Sequence, residues 1–294
     1  MKKIVISGAN GLVGKHLQRY LSPAEWEIIM VGRGESADVC WSPDEDIFQE
    51  SEQLKNADAF IHLAGENIAS KRWGKSQKEY IIHNRNACAN LAAKICDKYN
   101  IKNVLVASAI GYYGHRPREV CTEQSKIGKG FTCDVCGEIE AAFMPLSQKG
   151  FRTAFMRFGV VLSSEGGALP KMALPFKLFG GGPVGDGIQV VSWVDINDVC
   201  LAILHILKNI KITGAVNVVS PEPVTNETLG KSIAQQLKRP YWFPFPAFAV
   251  KLLLGEMGKT LLLESCEVKP DKLIKSGFHF SYPSIKSSLK NLYK

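Results

Sequence analysis

The sequence predicts an α/β protein, a doubly wound parallel sheet with a smaller C-terminal α+β lobe. Three observations support this prediction. Through the first two-thirds of the chain, short apolar runs alternate with amphipathic stretches of helical length, which is typical of a parallel sheet covered on both faces. A glycine-rich turn follows the first apolar run directly. From Ser163 onward the chain becomes rich in Gly and Pro before strand and helix patterns return.

The predicted elements follow one another along the chain. Strands are expected at residues 3–7, 27–31, 38–41, 58–65, 103–109, 152–162, 188–194 and 214–220. Helices are expected at residues 12–21, 76–99, 132–149, 195–207 and 225–237, with mostly helical sequence after them. We therefore predict a nucleotide-binding domain over residues 1–220, with a loop insertion at about 163–188. Residues 221–294 are predicted to form a C-terminal substrate or cap module.

Composition narrows the class of protein. The chain has 294 residues, of which 46% are hydrophobic and 22% charged, as in an ordinary globular protein. The formal net charge is +8 and lies mostly in residues 206–294, but the lysines there are scattered singly without a basic run, so no nucleic-acid partner is predicted. No run of apolar residues is long enough to span a bilayer, so no membrane partner is predicted. The short apolar start leads into a glycine turn, and we expect a cytoplasmic protein.

The stretch "SGANGLVG" predicts a dinucleotide-binding turn. Gly8, Gly11 and Gly14 follow the first strand and open a helix. The first glycine permits the tight turn, the second lets the backbone approach a pyrophosphate, and the third lets helix and strand pack closely. The helix N-terminus offers free N–H groups to the phosphates. The intervening residues expected to line the cofactor are Asn10, Leu12 and Val13.

The end of the second strand indicates which dinucleotide is bound. An acidic residue at this place holds the ribose hydroxyls of NAD, whereas an arginine can pair with the 2′-phosphate of NADP. The sequence reads "MVGRGES", with Arg33 just beyond the strand and no acidic residue before Glu35. NADP(H) is therefore the predicted cofactor, and a solvated loop arginine is the alternative.

A close pair of cysteines, Cys133 and Cys136 in "FTCDVCGEIE", raises the alternative of thiol-redox chemistry. Such chemistry needs an exposed, electropositive thiolate, and the neighbouring Asp134 and Glu138 argue against it. No second pair of this kind is present among the eight cysteines. Because a zinc site usually needs four ligands, no metal is predicted.

Several motifs resemble those of the extended short-chain dehydrogenase/reductase superfamily, which includes nucleotide-sugar epimerases and dehydratases. Besides the glycine turn, they are "HLAG" at 62–65, "HNRNACANL" with Asn84, and "GDGIQVVSWVDINDV" at 185–199. "SAIGYYG" and the C-terminal "LLLESCEVKPDKLIKSGFHFSYPSI" most resemble its epimerase-like subgroup. The resemblance implies a Rossmann fold, NADP(H) and a small carbonyl, hydroxyl or nucleotide-sugar-like substrate. It also implies cofactor contacts from Leu63, Ala64, Gly65, Asn84 and Ser108. Members of this superfamily often pair through helices, so a homodimer is an expectation.

The resemblance also shows a departure at the catalytic positions. The superfamily uses a Tyr as general acid/base and a Lys four residues later, because a phenol needs a nearby cation to act near neutrality. When Glu140 is matched to the family's helix glutamate, Thr132 and Cys136 stand at those places. The usual serine position holds Ala109, and Ser108 lies one residue earlier. The replacement proton donors considered are Tyr113, Ser108, Tyr112 and His115, with Glu66, Arg72 and Trp73 further toward the substrate side.

Two functions therefore remain open. One is an NADP(H)-dependent reductase or epimerase with non-standard acid/base residues, because hydride transfer depends mainly on placing the nicotinamide against the substrate. The other is a non-catalytic protein that binds NADPH as a sensor or presents a regulated surface to a partner. The absent Tyr-Lys pair favours the second function, and the glycine turn fits both. Asp195 is interpreted as a helix N-cap rather than as a site residue.

Overall fold

The computed structural model describes residues 1–294. Its strands are β1 (Lys2–Ser7), β2 (Trp26–Gly32), β3 (Val39–Ser42), β4 (Ile47–Phe48), β5 (Ala59–His62), β6 (Asn103–Ala109), β7 (Arg116–Cys121), β8 (Arg152–Phe158), β9 (Val160–Ser163), β10 (Gly166–Gly167), β11 (Val190–Val191), β12 (Trp193–Asp195), β13 (Gly214–Val218), β14 (Val224–Thr225) and β15 (Cys266–Val268). Its helices are α1 (Leu12–Tyr20), α2 (Lys75–Lys98), α3 (Phe131–Ala142), α4 (Met144–Gln148), α5 (Ala168–Lys177), α6 (Ile196–Lys208), α7 (Asn226–Leu237), α8 (Ala247–Gly258), α9 (Asp271–Lys275) and α10 (Ile285–Leu292).

Eight strands form the central sheet in the order β13-β8-β6-β5-β1-β2-β3-β4. All neighbours are parallel except β3 and β4, which pair antiparallel. The chain builds outward from β1 through β2 and β3, and then crosses to β5 and continues on the other side. The prediction of a doubly wound parallel sheet is confirmed. The strand order reverses between β1 and β5, and ligands of such sheets bind at the carboxyl ends of the strands at this reversal.

Buried apolar side chains cover both faces of this sheet. One cluster packs α2 and α3 against one face, and a second packs α1 and α6 against the other. Successive residues of β6 illustrate the division, because Val104 and Val106 belong to the first cluster and Leu105 to the second. This alternation explains why the strands read as continuous apolar runs in the sequence.

Residues 152–162, predicted as one strand, form two strands in different sheets. β8 belongs to the central sheet, whereas β9 pairs with β10 and β12. The break falls at Gly159, where a Cβ would lie 2.7 Å from the carbonyl oxygen of Ser192. Only glycine allows this approach, so the chain can change sheets there. The apolar run continues across the break, which is why the sequence pattern did not reveal it.

The segment predicted as a loop insertion at about 163–188 contains β10 and the ten-residue helix α5. The high Gly and Pro content of the segment led to the loop prediction, since both residues usually interrupt helices. Pro170 lies in the first turn of α5, where the missing N–H costs nothing. Pro175 lies further along and is followed by the end of the helix. Leu169, Ala173 and Phe176 bury one face of α5 in a third apolar cluster.

The smaller lobe is built from several parts of the chain. Its four-stranded sheet has the order β14-β11-β15-β7, so two strands from within residues 1–220 pair with two from 221–294. Toward the C-terminus the chain returns to the central domain, where the Asp198 carboxylate accepts hydrogen bonds from the backbone of Ser281 (2.8 Å) and Tyr282 (2.9 Å). No helix combines the length and the apolar character needed to cross a bilayer.

Candidate functional site

The glycine turn joins β1 to α1 at the reversal of the strand order. Gly8 has φ +77°, and a Cβ on it would lie 2.6 Å from the backbone nitrogen of Ala64. A Cβ on Gly14 would lie 2.5 Å from the carbonyl oxygen of Gly8. Both positions therefore require glycine, the first for its conformation and the close approach to the chain after β5, the second for packing helix against turn.

The N-terminus of α1 is open to a ligand. Gly11 is its N-cap, and no side chain accepts a hydrogen bond from the first N–H groups of the helix. Leu12 and Val13 are half-buried in its first turn. An uncapped helix N-terminus concentrates free donors and positive potential, which suits the pyrophosphate of a dinucleotide. The turn therefore fits the predicted cofactor by its shape and by its donors.

The loop after β2 lies beside the turn. The Asn10 side-chain amide donates to the Ser36 hydroxyl at 3.1 Å, which links the turn to this loop. Arg33 is exposed and forms no ion pair within the chain. A cation without an internal partner at the end of β2 is available to an anionic group such as a 2′-phosphate.

The chain after β5 forms the opposite wall of the turn. The Leu63 N–H donates to the Ser7 carbonyl oxygen at 2.9 Å, which holds the chain just after β5 against the end of β1. Gly65 follows with φ +155°. The buried Asn84 of α2 accepts a hydrogen bond at 3.0 Å from the N–H of Glu66. Asn84 therefore holds the backbone of the wall through its side-chain oxygen.

Arg85 also supports this wall, and the sequence analysis missed it. Its guanidinium donates twice to the Glu66 carbonyl oxygen, at 3.0 and 2.7 Å. Its stem lies under Gly65, where an added Cβ would be 3.3 Å from Arg85 Cγ. The available signal was its position directly after Asn84 on the helix facing the loop.

Residues 110–113, at the carboxyl end of β6, hold the two tyrosines considered as proton donors. Tyr113, the first of the proton donors considered, has a fully buried side chain. Its hydroxyl donates to Asn217 Oδ1 at 2.6 Å and accepts from Arg157 Nη1 at 3.0 Å. Burial raises the pKa of Tyr113 to about 12, although the Arg157 cation opposes the shift.

Ser108 belongs to the same buried network. Its hydroxyl donates to Glu140 Oε1 at 2.8 Å. Arg157 donates to both oxygens of the same carboxylate, from Nε to Oε1 at 2.8 Å and from Nη2 to Oε2 at 2.7 Å. Burial alone lowers the pKa of Arg157, but the hydrogen bonds and charge of Glu140 outweigh it and raise the pKa. Arg157 therefore stays charged. The sequence signal for it was a charged residue inside a strand predicted to be buried.

Tyr112 differs from its neighbour. It is half-buried, and its ring lies against the Arg157 guanidinium, whose central carbon is 3.4 Å from the ring centroid. A cation stacked on a tyrosine face fixes the orientation of the ring. The Tyr112 hydroxyl has no hydrogen-bond partner in the chain and is not among its buried unpaired polar atoms. Of the three candidate donors that carry a hydroxyl, Ser108, Tyr112 and Tyr113, only Tyr112 has a hydroxyl without a partner in the chain.

Thr132 and Cys136, which the sequence analysis matched to the family's Tyr and Lys, lie on α3 and are both buried. Thr132 packs against Gly111, because a Cβ added to Gly111 would lie only 3.0 Å from the Cβ of Thr132. The Cys136 thiol donates to the Ala109 carbonyl oxygen at 3.6 Å, and burial raises its pKa to about 11. Burial also raises the pKa of Cys133. Both thiols are therefore unsuited to thiolate chemistry.

Other residues that the sequence analysis considered, His115, Trp73 and Asp195, make contacts within the fold. His115 Nδ1 accepts the N–H of Ser265 at 2.9 Å and so ties the loop to the smaller lobe. Trp73 is buried against Phe131, with ring centroids 4.7 Å apart. Asp195 is the N-cap of α6, as interpreted from the sequence, since Oδ1 accepts the N–H of Asn197 at 2.8 Å. No group of three or more His, Cys, Asp or Glu side chains is arranged to hold a metal.

This geometry agrees with the comparisons with known proteins. The model of the NAD dependent epimerase/dehydratase family matches residues 4–219. The chain belongs to this family. A second model, a domain of unknown function named DUF1731, matches residues 245–292. The first match spans the central sheet with its glycine turn, and the second covers the C-terminal segment from α8 to α10.

Relatives in the epimerase family cover nearly the whole chain. "Epimerase family protein SDR39U1 homolog, chloroplastic" from Arabidopsis thaliana is 34% identical over 98% of this chain and 85% of its own. "Epimerase family protein YfhF" from Bacillus subtilis is 32% identical over 98% of this chain and 97% of its own. The expected resemblance to the epimerase-like subgroup is thus confirmed.

Solved structures extend the comparison. The crystal structure of human epimerase family protein SDR39U1 (isoform 2) with NADPH is 28% identical, with a TM-score of 0.90, and each chain is covered to 99%. UDP-N-acetylglucosamine 4-epimerase from Bacillus cereus is 15% identical with a TM-score of 0.78, and the match covers 100% of this chain and 98% of that one. The second likeness shows the shared fold alone.

Proposed function

We propose that this epimerase-family protein binds NADP(H) at the glycine turn and is an oxidoreductase of the short-chain dehydrogenase/reductase type. Its substrate would be a small carbonyl or hydroxyl compound, nucleotide sugars included. The observation that carries the proposal is the turn itself, where Gly8 and Gly14 admit no side chain and the N-terminus of α1 has no cap. The human relative solved with NADPH supports the choice of cofactor.

Each part of the cofactor has residues suited to it. The N–H groups around Gly11 at the start of α1 would hold the pyrophosphate, and Arg33 would hold the 2′-phosphate. The chain at Leu63–Gly65 would lie along the dinucleotide, supported by Asn84 and Arg85. When bound, the nicotinamide supplies or accepts the hydride, which no side chain can do.

The cofactor assignment is tested by comparing NADPH and NADH affinities of the purified protein and of Arg33→Glu. A charge-assisted hydrogen bond contributes about 1.5–3 kcal/mol, or roughly 10–100-fold in affinity. We expect Arg33→Glu to lose that much NADPH affinity and to keep NADH affinity within about threefold. Arg118→Glu is the matched control, because Arg118 is an exposed arginine on β7. Unchanged NADPH binding in Arg33→Glu contradicts the assignment.

For the proton we propose Tyr112, because its hydroxyl has no partner in the chain, whereas Ser108 and Tyr113 are held in buried hydrogen bonds. NADPH oxidation is followed with a panel of carbonyl metabolites that includes nucleotide sugars. With any substrate found, Tyr112→Phe is expected to lower kcat by about 10²–10⁴, the usual contribution of a general acid. Unchanged turnover in this variant excludes the Tyr112 phenol.

The second candidate is a non-catalytic protein that binds NADPH as a sensor or regulated partner. The specific observation in its favour is the buried pair Thr132 and Cys136 at the places of the family's Tyr and Lys, which leaves no cation beside a phenol on α3. Tight NADPH binding without turnover on the whole panel would favour this candidate. Turnover that responds to Tyr112→Phe would favour the enzyme.

A further inference from the structure

Exposed apolar side chains are concentrated on one part of the molecule. Ten of the eighteen large apolar side chains that are exposed lie in two segments, residues 174–188 and 242–261. Every exposed Trp and Phe is among them. We call this set the apolar surface; its members are Leu174, Leu178, Phe179, Ile188, Trp242, Phe243, Phe248, Leu252, Leu253 and Leu261. Single exposed apolar residues need no explanation, but a concentrated set indicates a contact with another body.

Hydrogen bonds join the two segments to each other. The N–H groups of Trp242 and Phe243 both donate to the Gly181 carbonyl oxygen, at 3.0 and 3.2 Å. The Trp242 indole N–H donates to the Phe179 carbonyl oxygen at 2.8 Å. The exposed rings thus project from a hydrogen-bonded framework.

Helix α8 presents apolar side chains on both sides. Val250 faces the protein and is fully buried, while Phe248 and Leu252, one turn apart, are each 72% exposed. The helix is anchored by Lys78, which pairs with Glu256 at 2.8 Å, and by Arg72, which donates to the Leu252 carbonyl oxygen. Because α8 carries apolar side chains on its exposed side as well as its buried side, part of its outer surface is suited to apolar surroundings.

The charges around the apolar surface are mostly positive. Exposed basic side chains without an ion-pair partner are Lys177, Lys238, Arg239 and Lys251. The acidic residues within the two segments are Asp186 and Glu256, and Glu256 is already paired with Lys78. Lys238 and Arg239 lie shortly before the second segment, and Glu264, shortly after it, is paired with Lys259. A second copy of this chain seated on the same surface would bring these cations together, which is unfavourable. Anionic phospholipid headgroups are their complement.

We propose that the apolar surface docks peripherally on an anionic phospholipid bilayer. Trp242, Phe248 and Leu252 enter the interfacial region, and the surrounding Lys and Arg side chains contact the headgroups. Aromatic and Leu side chains next to basic residues are the combination that binds at such interfaces. The sequence predicted no membrane partner because it contains no span, and a peripheral contact needs none. This proposal does not depend on the cofactor or the reaction.

Tryptophan fluorescence reports on the contact directly. Trp242 is 65% exposed, whereas the other four tryptophans, at 26, 41, 73 and 193, are buried. The full chain is mixed with vesicles made of equal parts phosphatidylcholine and phosphatidylserine, and separately with phosphatidylcholine vesicles. We expect co-sedimentation and a blue-shifted emission with the anionic vesicles only. Trp242→Phe is expected to keep the binding and lose the shift.

Charge variants test the electrostatic part. One basic residue near an anionic bilayer contributes about 1 kcal/mol, which is about fivefold in affinity. The pair Arg239→Gln and Lys251→Gln is therefore expected to weaken vesicle binding by about 25-fold. Lys102→Gln is the control, because Lys102 is an exposed lysine at the amino end of β6. This variant is expected to bind the anionic vesicles as tightly as the unaltered chain does.

Three results would overturn the proposal. The first is no partition onto the anionic vesicles. The second is binding without the blue shift. The third is self-association in light scattering that Leu252→Asp abolishes, because it would assign the apolar surface to a second copy. The free energy of unfolding in urea is measured for each variant. A value equal to that of the unaltered chain shows that a loss of binding does not come from a loss of folding.

Discussion

Replacing Tyr113 by Phe separates the two neighbouring tyrosines. The substitution removes one oxygen from a fully buried side chain and leaves the shape of the ring unchanged. That oxygen donates to Asn217 Oδ1 at 2.6 Å and accepts from Arg157 Nη1 at 3.0 Å. Both partners remain buried in the variant, and neither can reach water in place of the lost hydroxyl.

The size of the effect follows from these two contacts. A buried polar group left without its partner costs about 1–3 kcal/mol. Asn217 keeps the bond from its side-chain amide to the Lys269 carbonyl oxygen but loses the donor to Oδ1. Arg157 keeps both bonds to Glu140 and loses one of its N–H acceptors. We therefore expect Tyr113→Phe to lower the free energy of unfolding by about 3 kcal/mol.

Urea unfolding near neutral pH measures this loss, with Tyr112→Phe as the matched control. The Tyr112 hydroxyl has no partner in the chain, so its removal is expected to change the free energy of unfolding by less than about 0.5 kcal/mol. Under the proposed function the two variants then behave in opposite ways, since Tyr113→Phe loses stability and Tyr112→Phe loses turnover. A loss below about 1 kcal/mol in Tyr113→Phe refutes the reasoning that its hydroxyl is locked in the network.

Three further predictions concern the cofactor turn, a buried histidine and the thiols. Gly14→Ala brings a Cβ to 2.5 Å from the Gly8 carbonyl oxygen, so calorimetry should find NADPH affinity lowered by at least about tenfold in a folded protein. Burial lowers the pKa of His62 to about 3. The imidazole therefore stays neutral in the folded protein, whereas it takes up a proton in the unfolded chain as the pH falls below the ordinary value near 6.5. The folded state is thus fully favoured above about pH 6.5 and loses stability as the pH falls. Between about pH 7 and pH 5 this loss should reach about 2 kcal/mol in urea unfolding, and His62→Asn should remove that part of the slope. Cys40 is the single exposed cysteine of eight, so Ellman's reagent should find one rapidly reacting thiol in the native protein and none in Cys40→Ser.

The parallel sheet and the cofactor turn were predictable because both depend on local sequence. A buried parallel strand reads as an apolar run, and a crossover helix reads as an amphipathic stretch, so their alternation gives the layer order. The turn needs glycine at Gly8 and Gly14 for reasons of backbone shape that the spacing alone conveys. Helix ends were predictable to within a residue or two, as with the expected helix at 76–99 and the observed α2.

The buried network was not predictable, because its members come from separate elements. Ser108, Glu140, Arg157 and Asn217 lie on β6, α3, β8 and β13, and only the sheet order brings them together. The sequence did carry one sign of it, an arginine within an apolar strand, since a buried charge must be paired. The apolar surface was missed for a related reason. An apolar stretch such as "FPFPAFAVKLLL" is normally interpreted as core, and only the fold shows which side chains remain outside.

The buried network also fixes the shape of the chain around Tyr112. Ser108 lies on the same side of β6 as Val104 and Val106, and its hydroxyl therefore meets Glu140 of α3. Glu140 holds Arg157, and Arg157 holds the ring of Tyr112 by stacking at 3.4 Å. A buried ion pair contributes little to stability compared with apolar residues of similar size, but it enforces one arrangement of its neighbours. The pair therefore accounts for the fixed position of Tyr112 at the carboxyl end of β6, next to the wall of the cofactor turn.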